Sequence, residues 1–375
     1  MPCHTIVHRQ DWFLEESYRA RTYREEPGFL DRSFELHFNE RPFLNHFSYL
    51  FITRTTKERM RQQSNFSVLC RGHILPREVR DKDGILRFLE AVEQFGRIIC
   101  DSGLVRLERL TTEEITGKGK EAGLVEKYFS LSQEDTTTLE DIRLGGAEMR
   151  IGDKRLSVHT LSDADDLPSA VRTDGRYEKY STDRSDCRLS FAAPVGLMLP
   201  YNHICNQYVF IDDPAETLRH FEKAARNMRS LSRYSRANEI NRQWTEEYLN
   251  EAHSFGLTAI RCHCNVMAWS DNREKLKVIK NDTGSALALM GCKPRYNTID
   301  APALYWAGIP GGEGDFPSEE SFFTFIEQGV CFFTEETNYA DSLSPFGIKM
   351  ADRTNGKPLH LDISDEPMRR GITTN

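Results

Sequence analysis

The chain has 375 residues, 39% of them hydrophobic and 28% charged, with a formal net charge of −8. That length calls for two compact units and a connector, and the composition excludes disorder as a global description. The acid excess excludes a surface built throughout for nucleic acid, although local basic patches remain open.

The start is polar and charged, with two aromatics, Trp12 and Phe13. An aromatic and apolar run over 45–53 predicts a strand, and a basic segment follows it. Ile85, Leu86, Leu89, Val92 and Phe95 recur at helical spacing over 83–100, and Gly103 ends that helix. Residues 104–110 read as a short strand, and 113–131 as a helix interrupted by a flexible 117–123 stretch. Asp, Ser, Thr, Gly and Pro crowd 162–186, which marks a linker.

Beyond it, 188–199 and 205–211 read as strands. Asp213, Pro214 and Glu216 form a helix start with a capping box, and Leu218, Phe221, Ala225 and Met228 make one apolar stripe. A second helix carries Ile240, Trp244, Tyr248 and Ala252 on one face and stops before Gly256. Residues 257–269 alternate, with Ile260, Cys262, Cys264, Val266 and Ala268 on one face and Arg261, His263 and Asn265 on the other. Asp271 and Glu274 open a helix with Leu276, Ile279, Thr283, Leu287 and Met290 inward, closed by Gly291, and 292–298 is a further strand. An aromatic helix is expected over 321–333, then a hairpin of 346–352 and 358–363 around Asn355-Gly356.

This order predicts an α+β fold, with mixed sheets, helices packed on one face and a ferredoxin-like subdomain in the second half. The expected division is an N-terminal α+β subdomain over 1–160, a polar linker over 161–186, the ferredoxin-like subdomain over 187–310, and a connector over 311–375.

Candidate chemistry is sparse. Cys262, His263 and Cys264 invite a zinc reading and a metal-dependent enzyme, but strand alternation sends the thiols and the imidazole to opposite faces. Two core cysteines and a surface histidine are the expectation, so no metal site is assigned. Asp163, Asp165 and Asp166 resemble the start of a calcium loop, yet Pro168 and Asp174 stand where glycine and glutamate are required, so a solvated acidic linker is expected. No G-x-x-x-x-G-K-[ST] phosphate loop occurs: Thr112, Glu114 and Ala351 stand where its first glycine would precede the three Gly-Lys pairs.

Two basic segments stand out. Arg54, Lys57, Arg59, Arg61, Arg71, Arg77 and Arg80 form the first; Arg219, Lys223, Arg226, Arg229, Arg233, Arg236 and Arg242 the second. Arg219, Lys223 and Arg226 share one helical face, able to bind a nucleic acid, an anionic membrane surface or an acidic protein. Arg219, Lys223, Arg226, Arg229, Arg233 and Arg236 are the candidate binding set, and a protein or membrane contact is favoured because no aromatics interleave with the charges. Nine widely spaced cysteines, the absence of a signal-peptide layout and the absence of a long apolar run place the chain in the cytosol.

Four stretches resemble the TraG family of conjugative-transposon ATPases, relatives of the VirB/TrbE/CagE motors of type IV secretion. They are 46–61 (HFSYLFITRTTKERMR), 181–197 (STDRSDCRLSFAAPVGL), 248–270 (the YLNEAHSFGLTAIRCHCNVMAWS run) and 344–375 (SPFGIKMADRTNGKPLHLDISDEPMRRGITTN). The resemblance implies that the C-terminal hairpin leads toward a RecA-like motor domain whose P-loop follows Asn375, so 311–375 includes the start of a truncated ATPase domain. It implies a chain trimmed at both ends, with no catalytic, nucleotide-binding or cofactor residue of its own, since ATP and Mg belong to the full-length family. The implied partners are inner-membrane components of the conjugation channel, the chain's own ATPase domain and further copies of itself in a homo-oligomer, at the cytoplasmic face of the inner membrane. Direct DNA binding stays open.

Overall fold

A computed structural model describes residues 3–16, 43–56, 81–103, 105–132, 140–144, 148–171, 190–231, 235–333, 347–351 and 358–361, together with a few isolated positions. The frame is an antiparallel sheet whose centre is β5 (Lys154–Leu161), β6 (His203–Ile211) and β7 (Ala259–Ser270). β6 and β7 pair directly, β5 pairs the other side of β7, and β8 (Arg295–Asn297) pairs β5. The spatial order β8-β5-β7-β6 is that of two interlocked split β-α-β units. α4 (Ala193–Met198) links β5 to β6, and α7 (Arg273–Leu289) links β7 to β8.

The α+β class and the ferredoxin-like outline therefore hold, with the unit beginning at β5 inside the segment expected to be separate. Every pairing among the described residues is antiparallel rather than mixed. β1 (Cys3–Glu16) extends the sheet beyond β6, and β2 (Phe43–Thr56) pairs β1. β3 (Ile142–Arg143) and β4 (Met149–Ile151) extend it past β5, and β9 (Phe322–Phe325) pairs the start of β7. Strands from both sides of the expected 161–186 linker thus lie side by side; 172–182 and 184–189 fall outside the described residues.

All twelve residues of β7 are buried. One face of the sheet takes α4 and α7, with Cys264, Val266, Val195, Leu199, Ala286 and Leu287 in one cluster. On α7, the expected inward residues Leu276, Ile279, Thr283, Leu287 and Met290 are buried, and Gly291 closes the helix with φ 77°. The other face takes α3 (Leu124–Ser130), α8 (Ala301–Ala307) and Phe316, packed on Ile6, Trp12, Tyr208, Phe210, Met267 and Trp269. Helices cover both faces, not one, because a strand without an exposed residue needs cover on each side. Tyr128 on α3 and Tyr305 on α8 lock this second layer: each hydroxyl donates to the other's carbonyl, at 2.8 and 3.0 Å. Complete burial of a phenylalanine such as Phe210 or Phe316 stabilises by roughly 1.5–3 kcal/mol.

Several elements differ from the sequence reading. β1 reads as polar chain because His4, His8, Arg9, Gln10 and Asp11 interrupt its apolar pattern, yet all five are buried in the sheet. The 188–199 run contains α4, with Pro194 in its first turn; a short apolar run fits either state, and proline suits a helix start. Residues 105–110 form no strand, and no strand among the described residues pairs with them. The expected 321–333 helix begins as β9, pulled into the ladder by β7, and only Ile326–Gly329 is α-helical (α9). Asn272, not Asp271, caps α7, its Oδ1 accepting from the Glu274 and Lys275 amides. The expected 83–100 helix forms as α1 (Lys82–Asp101), though none of it is buried. The interrupted 113–131 helix becomes α2 (Thr112–Thr116) and α3. β10 (Ile348–Ala351) and β11 (Pro358–Leu361) form the expected hairpin, whose Asn-Gly turn lies outside the described residues.

A row of polar side chains crosses the sheet on the α3/α8 face. Gln10, Asn206, Asn265 and Thr160 stand opposite one another on four successive strands, and His8, Tyr208 and His263 form the next row. Asn206 Nδ2 donates to Asn265 Oδ1 at 2.8 Å, and Asn265 in turn meets His263 Nε2 at 2.9 Å. His263 Nδ1 lies 2.6 Å from the Glu320 carbonyl, so it carries the hydrogen and Nε2 accepts. His8 stacks between Tyr208 and Phe51.

Burial lowers the pKa of His8 and His263 to about 3 and of His159 and His203 to about 4. Each imidazole is neutral in the folded state but takes a proton near pH 6.5 when unfolded. The unfolded chain therefore binds more protons between pH 6.5 and about 4, and stability is lost as pH falls through that window. Urea denaturation should show a decline of up to about 1.4 kcal/mol per pH unit for each histidine, and His8→Phe should flatten the slope by one such share. Stability that stays level from about pH 7 to about pH 5 would contradict this account.

Candidate interaction site

In a plain ferredoxin-like unit a tight turn joins the two strands that occupy the β6 and β7 positions. Here α5 (Pro214–Leu231) and α6 (Arg236–Phe255) stand in its place. A helix pair goes out and returns, so β7 re-enters at the end β6 left and pairs it antiparallel. Asp213 caps α5 as expected, its Oδ1 accepting from the Ala215 and Glu216 amides at 3.0 and 3.3 Å. Gly256 ends α6 in the left-handed conformation, φ 63°.

The hairpin is held by its inner faces. Phe221 meets Tyr248 at 4.9 Å and Phe323 at 4.8 Å, while Ala225, Leu249 and Ala252 are buried. Arg229 bridges to Glu246 at 3.1 Å, and Arg242 binds both Glu239 and Glu246 at 2.6 Å. Hydrogen bonds from Arg242 and Arg229 lower the Glu246 pKa, and donating to Glu239 and Glu246 raises that of Arg242. Arg229 thus ties α5 to α6, while Arg242 closes its ion pairs within α6.

Arg219, Lys223 and Arg226 are exposed on α5 away from Phe221, and Arg226 also borders the α5–α6 cleft beside Ala225 and Glu246. Arg219 and Arg226 donate from Nε to the Ala215 and Glu222 carbonyls one turn back, which steadies their stems. Arg236 is exposed at the start of α6, and Arg233 lies outside the described residues. The fold therefore brings three of the six candidates onto one outward face and diverts Arg229 to a helix–helix contact. Of the first basic segment, Arg54 is exposed on β2 and the others lie outside the described residues.

A second surface escaped the sequence reading. Between α6 and β9 runs a groove of about 490 Å³, lined by Trp244, Tyr248, Phe323 and Phe325 and rimmed by Glu247, Glu251 and Glu327. Trp244 is 55% exposed and Phe323 40%. Tyr248 stacks on Phe325 at 4.5 Å, and burial raises its pKa to about 12, so its hydroxyl stays protonated. The signal was present as Trp244, Glu247, Tyr248 and Glu251 at spacings of three, four and seven, which place aromatics and acids on one stripe.

The Cys262-His263-Cys264 run is two core thiols, as expected, but the histidine is not at the surface. His263 is fully buried because α8 and Phe316 cover the face it occupies. No group of three His, Cys, Asp or Glu residues among those described could hold a metal. Asp166 is likewise no solvated linker residue: it is buried, accepts from the Ser162 and Asp163 amides, and pairs with Arg295 Nε at 2.9 Å. Asp212, His4 and Arg261 form a cluster that neither motif nor spacing announced. Burial alone would raise the Asp212 carboxyl, but hydrogen bonds from His4 and Arg261 outweigh it and hold its pKa at about 2.

Residues 347–375, which include the β10–β11 hairpin, match the family model of the TraG P-loop domain. The match supports membership of the TraG family and points to conjugation-related ATPases. No curated protein matches the chain. Among the described residues no helix is long and apolar enough to cross a membrane.

Burial pushes the Cys262 thiol up to about 12 and raises Cys264 as well, whereas Cys100 is exposed. Alkylation of the native protein, read by peptide mass mapping, should label Cys100 within minutes and leave Cys262 and Cys264 unmodified until denaturant is added. Rapid native labelling of either buried thiol would show that β7 is not enclosed.

Proposed function

We propose that this chain is the docking and assembly region of a conjugation ATPase, lying ahead of the motor domain that its C-terminal end begins. The observation that carries this reading is the TraG P-loop match at 347–375, preceded by an antiparallel sheet with no phosphate-loop sequence. A P-loop motor needs a parallel strand–loop–helix unit, whose glycine-rich turn aims backbone amides at the phosphates. The described part of this chain offers interaction surfaces instead. In this reading ATP and Mg are bound by the motor domain, and this region positions the motor on inner-membrane components of the conjugation channel from the cytoplasmic side.

The exposed α5 face of Arg219, Lys223 and Arg226 is the surface assigned to docking. An acidic protein surface suits it, because exposed cations on one rigid helix orient a partner and speed its approach. DNA is the competing occupant, and it would announce itself by a steep salt dependence.

The isolated chain should turn over no ATP. In the full-length protein, replacing Arg219, Lys223 and Arg226 together with glutamate should lower DNA transfer between cells by at least ~10-fold while ATP turnover stays within ~2-fold. ATP hydrolysis by the chain alone, or unimpaired transfer by the triple variant, would overturn the assignment. Binding of mixed-sequence DNA by the chain, lost steeply with salt, would give the face to DNA instead.

A further inference from the structure

The acidic aromatic groove and the basic α5 face are two surfaces of the same hairpin, and their chemistry is complementary. The groove has three exposed carboxylates, Glu247, Glu251 and Glu327, and no lysine or arginine lines it among the described residues. Its aromatic wall, Trp244, Tyr248 and Phe323, presents π faces and edges that a guanidinium or ammonium group and its alkyl stem can cover. An exposed tryptophan beside unpaired-sign acids is a poor surface to leave in water, and a cationic helix is the occupant that suits both parts of it.

We propose that this groove docks the Arg219/Lys223/Arg226 face of a second copy of the chain, so that copies associate head to tail through their helical hairpins. Register supports the pairing. Arg219 and Lys223 are four residues apart on α5, and Glu247 and Glu251 are four apart on α6, so both pairs are separated by ~6 Å along their axes. Arg226 continues the basic row by another ~4.5 Å along α5. Within one molecule α5 packs on α6 and β9 through Phe221, and helical spacing sets Arg219 and Lys223 on the far side of α5 from that contact. The two surfaces differ, so the contact is heterologous, and it propagates into a closed ring or a chain rather than stopping at a twofold dimer. This rests on the reading of the α5 face as a docking surface and names its partner.

The test uses the 375-residue chain, a groove variant (Glu247→Lys with Glu251→Lys) and a face variant (Arg219→Ala with Lys223→Ala), whose neutral face offers nothing to the altered groove, in sedimentation velocity at ~50 mM and ~500 mM NaCl. The unaltered chain should associate beyond dimers at low salt, with at least ~10-fold weaker association at high salt. Each variant alone should sediment as a monomer, because each retains one of the two surfaces. An equimolar mixture should form a dimer and go no further, through the intact groove of the face variant and the intact face of the groove variant. Trp244→Ala, which changes no charge, should weaken association of the otherwise unaltered chain while circular dichroism stays the same.

An unaltered chain that remains monomeric at ~100 μM and low salt overturns the proposal. So does a variant that self-associates like the unaltered chain, or a mixture that yields no dimer. Loss of DNA transfer in the triple variant together with a failed mixing experiment would leave the docking reading standing and remove only the second copy as partner. A successful mixture with normal transfer would do the reverse.

Discussion

Twelve consecutive buried residues on β7 set the constraint that the remaining architecture answers. A strand with no exposed residue needs a neighbour on each edge and a layer on each face. β6 and β5 supply the edges, α4 and α7 one layer, and α3, α8 and Phe316 the other. The ferredoxin-like unit explains only the first of these layers. The second is recruited from chain on either side of it, and the Tyr128–Tyr305 exchange of hydroxyl–carbonyl bonds ties the two recruits together.

Burial on this scale traps polar groups as well as apolar ones. Gln10, Asn206, Asn265 and Thr160 sit where a sheet would ordinarily place valine or isoleucine, and Asn206, Asn265 and His263 form one hydrogen-bonded chain that ends on the Glu320 carbonyl. A buried polar network raises the cost of any misregistered pairing, because a one-residue slip would strand every member of it. The same feature hid β1 from the sequence. Period-two alternation is legible only when one face is apolar and the other polar, and β1 carries His4, His8 and Gln10 on buried positions. The C-terminal helix of the ferredoxin-like unit was legible residue by residue, since α7 has one wet face and one dry one. His263 was misplaced for the opposite reason: its face is covered by elements more than thirty residues downstream, which no local pattern encodes.

The basic face was legible because helical spacing alone collects Arg219, Lys223 and Arg226. What spacing could not tell is which members are already engaged, and Arg229 and Arg242 prove to be fastened to Glu246. The groove was less legible still. Phe323 and Phe325 come from β9, which the sequence presents as helix, so only half of the groove stood on the predicted face of α6. The hairpin stands in place of the tight turn of a plain ferredoxin-like unit, and it carries the basic face and the α6 side of the groove. The TraG P-loop match lies elsewhere in the chain, over residues 347–375.

The hairpin also sets the order in which the molecule can assemble. β6 and β7 form the central ladder, yet the connection between them runs from Asp212 to Thr258. Closing a loop of that length by chance is entropically slower than closing a tight turn, although each doubling of length costs only about 0.6 kcal/mol. If α5 and α6 form and pair first, the two strand ends are brought together as though by a short turn, and the long connection behaves as a local one. The explicit start at Asp213 and stop at Gly256 then act as instructions for timing: a hairpin with its own caps, its own apolar seam and its own ion pairs can nucleate ahead of the sheet it interrupts. Pulse-labelled hydrogen exchange that protects β7 before α6 would show the reverse sequence.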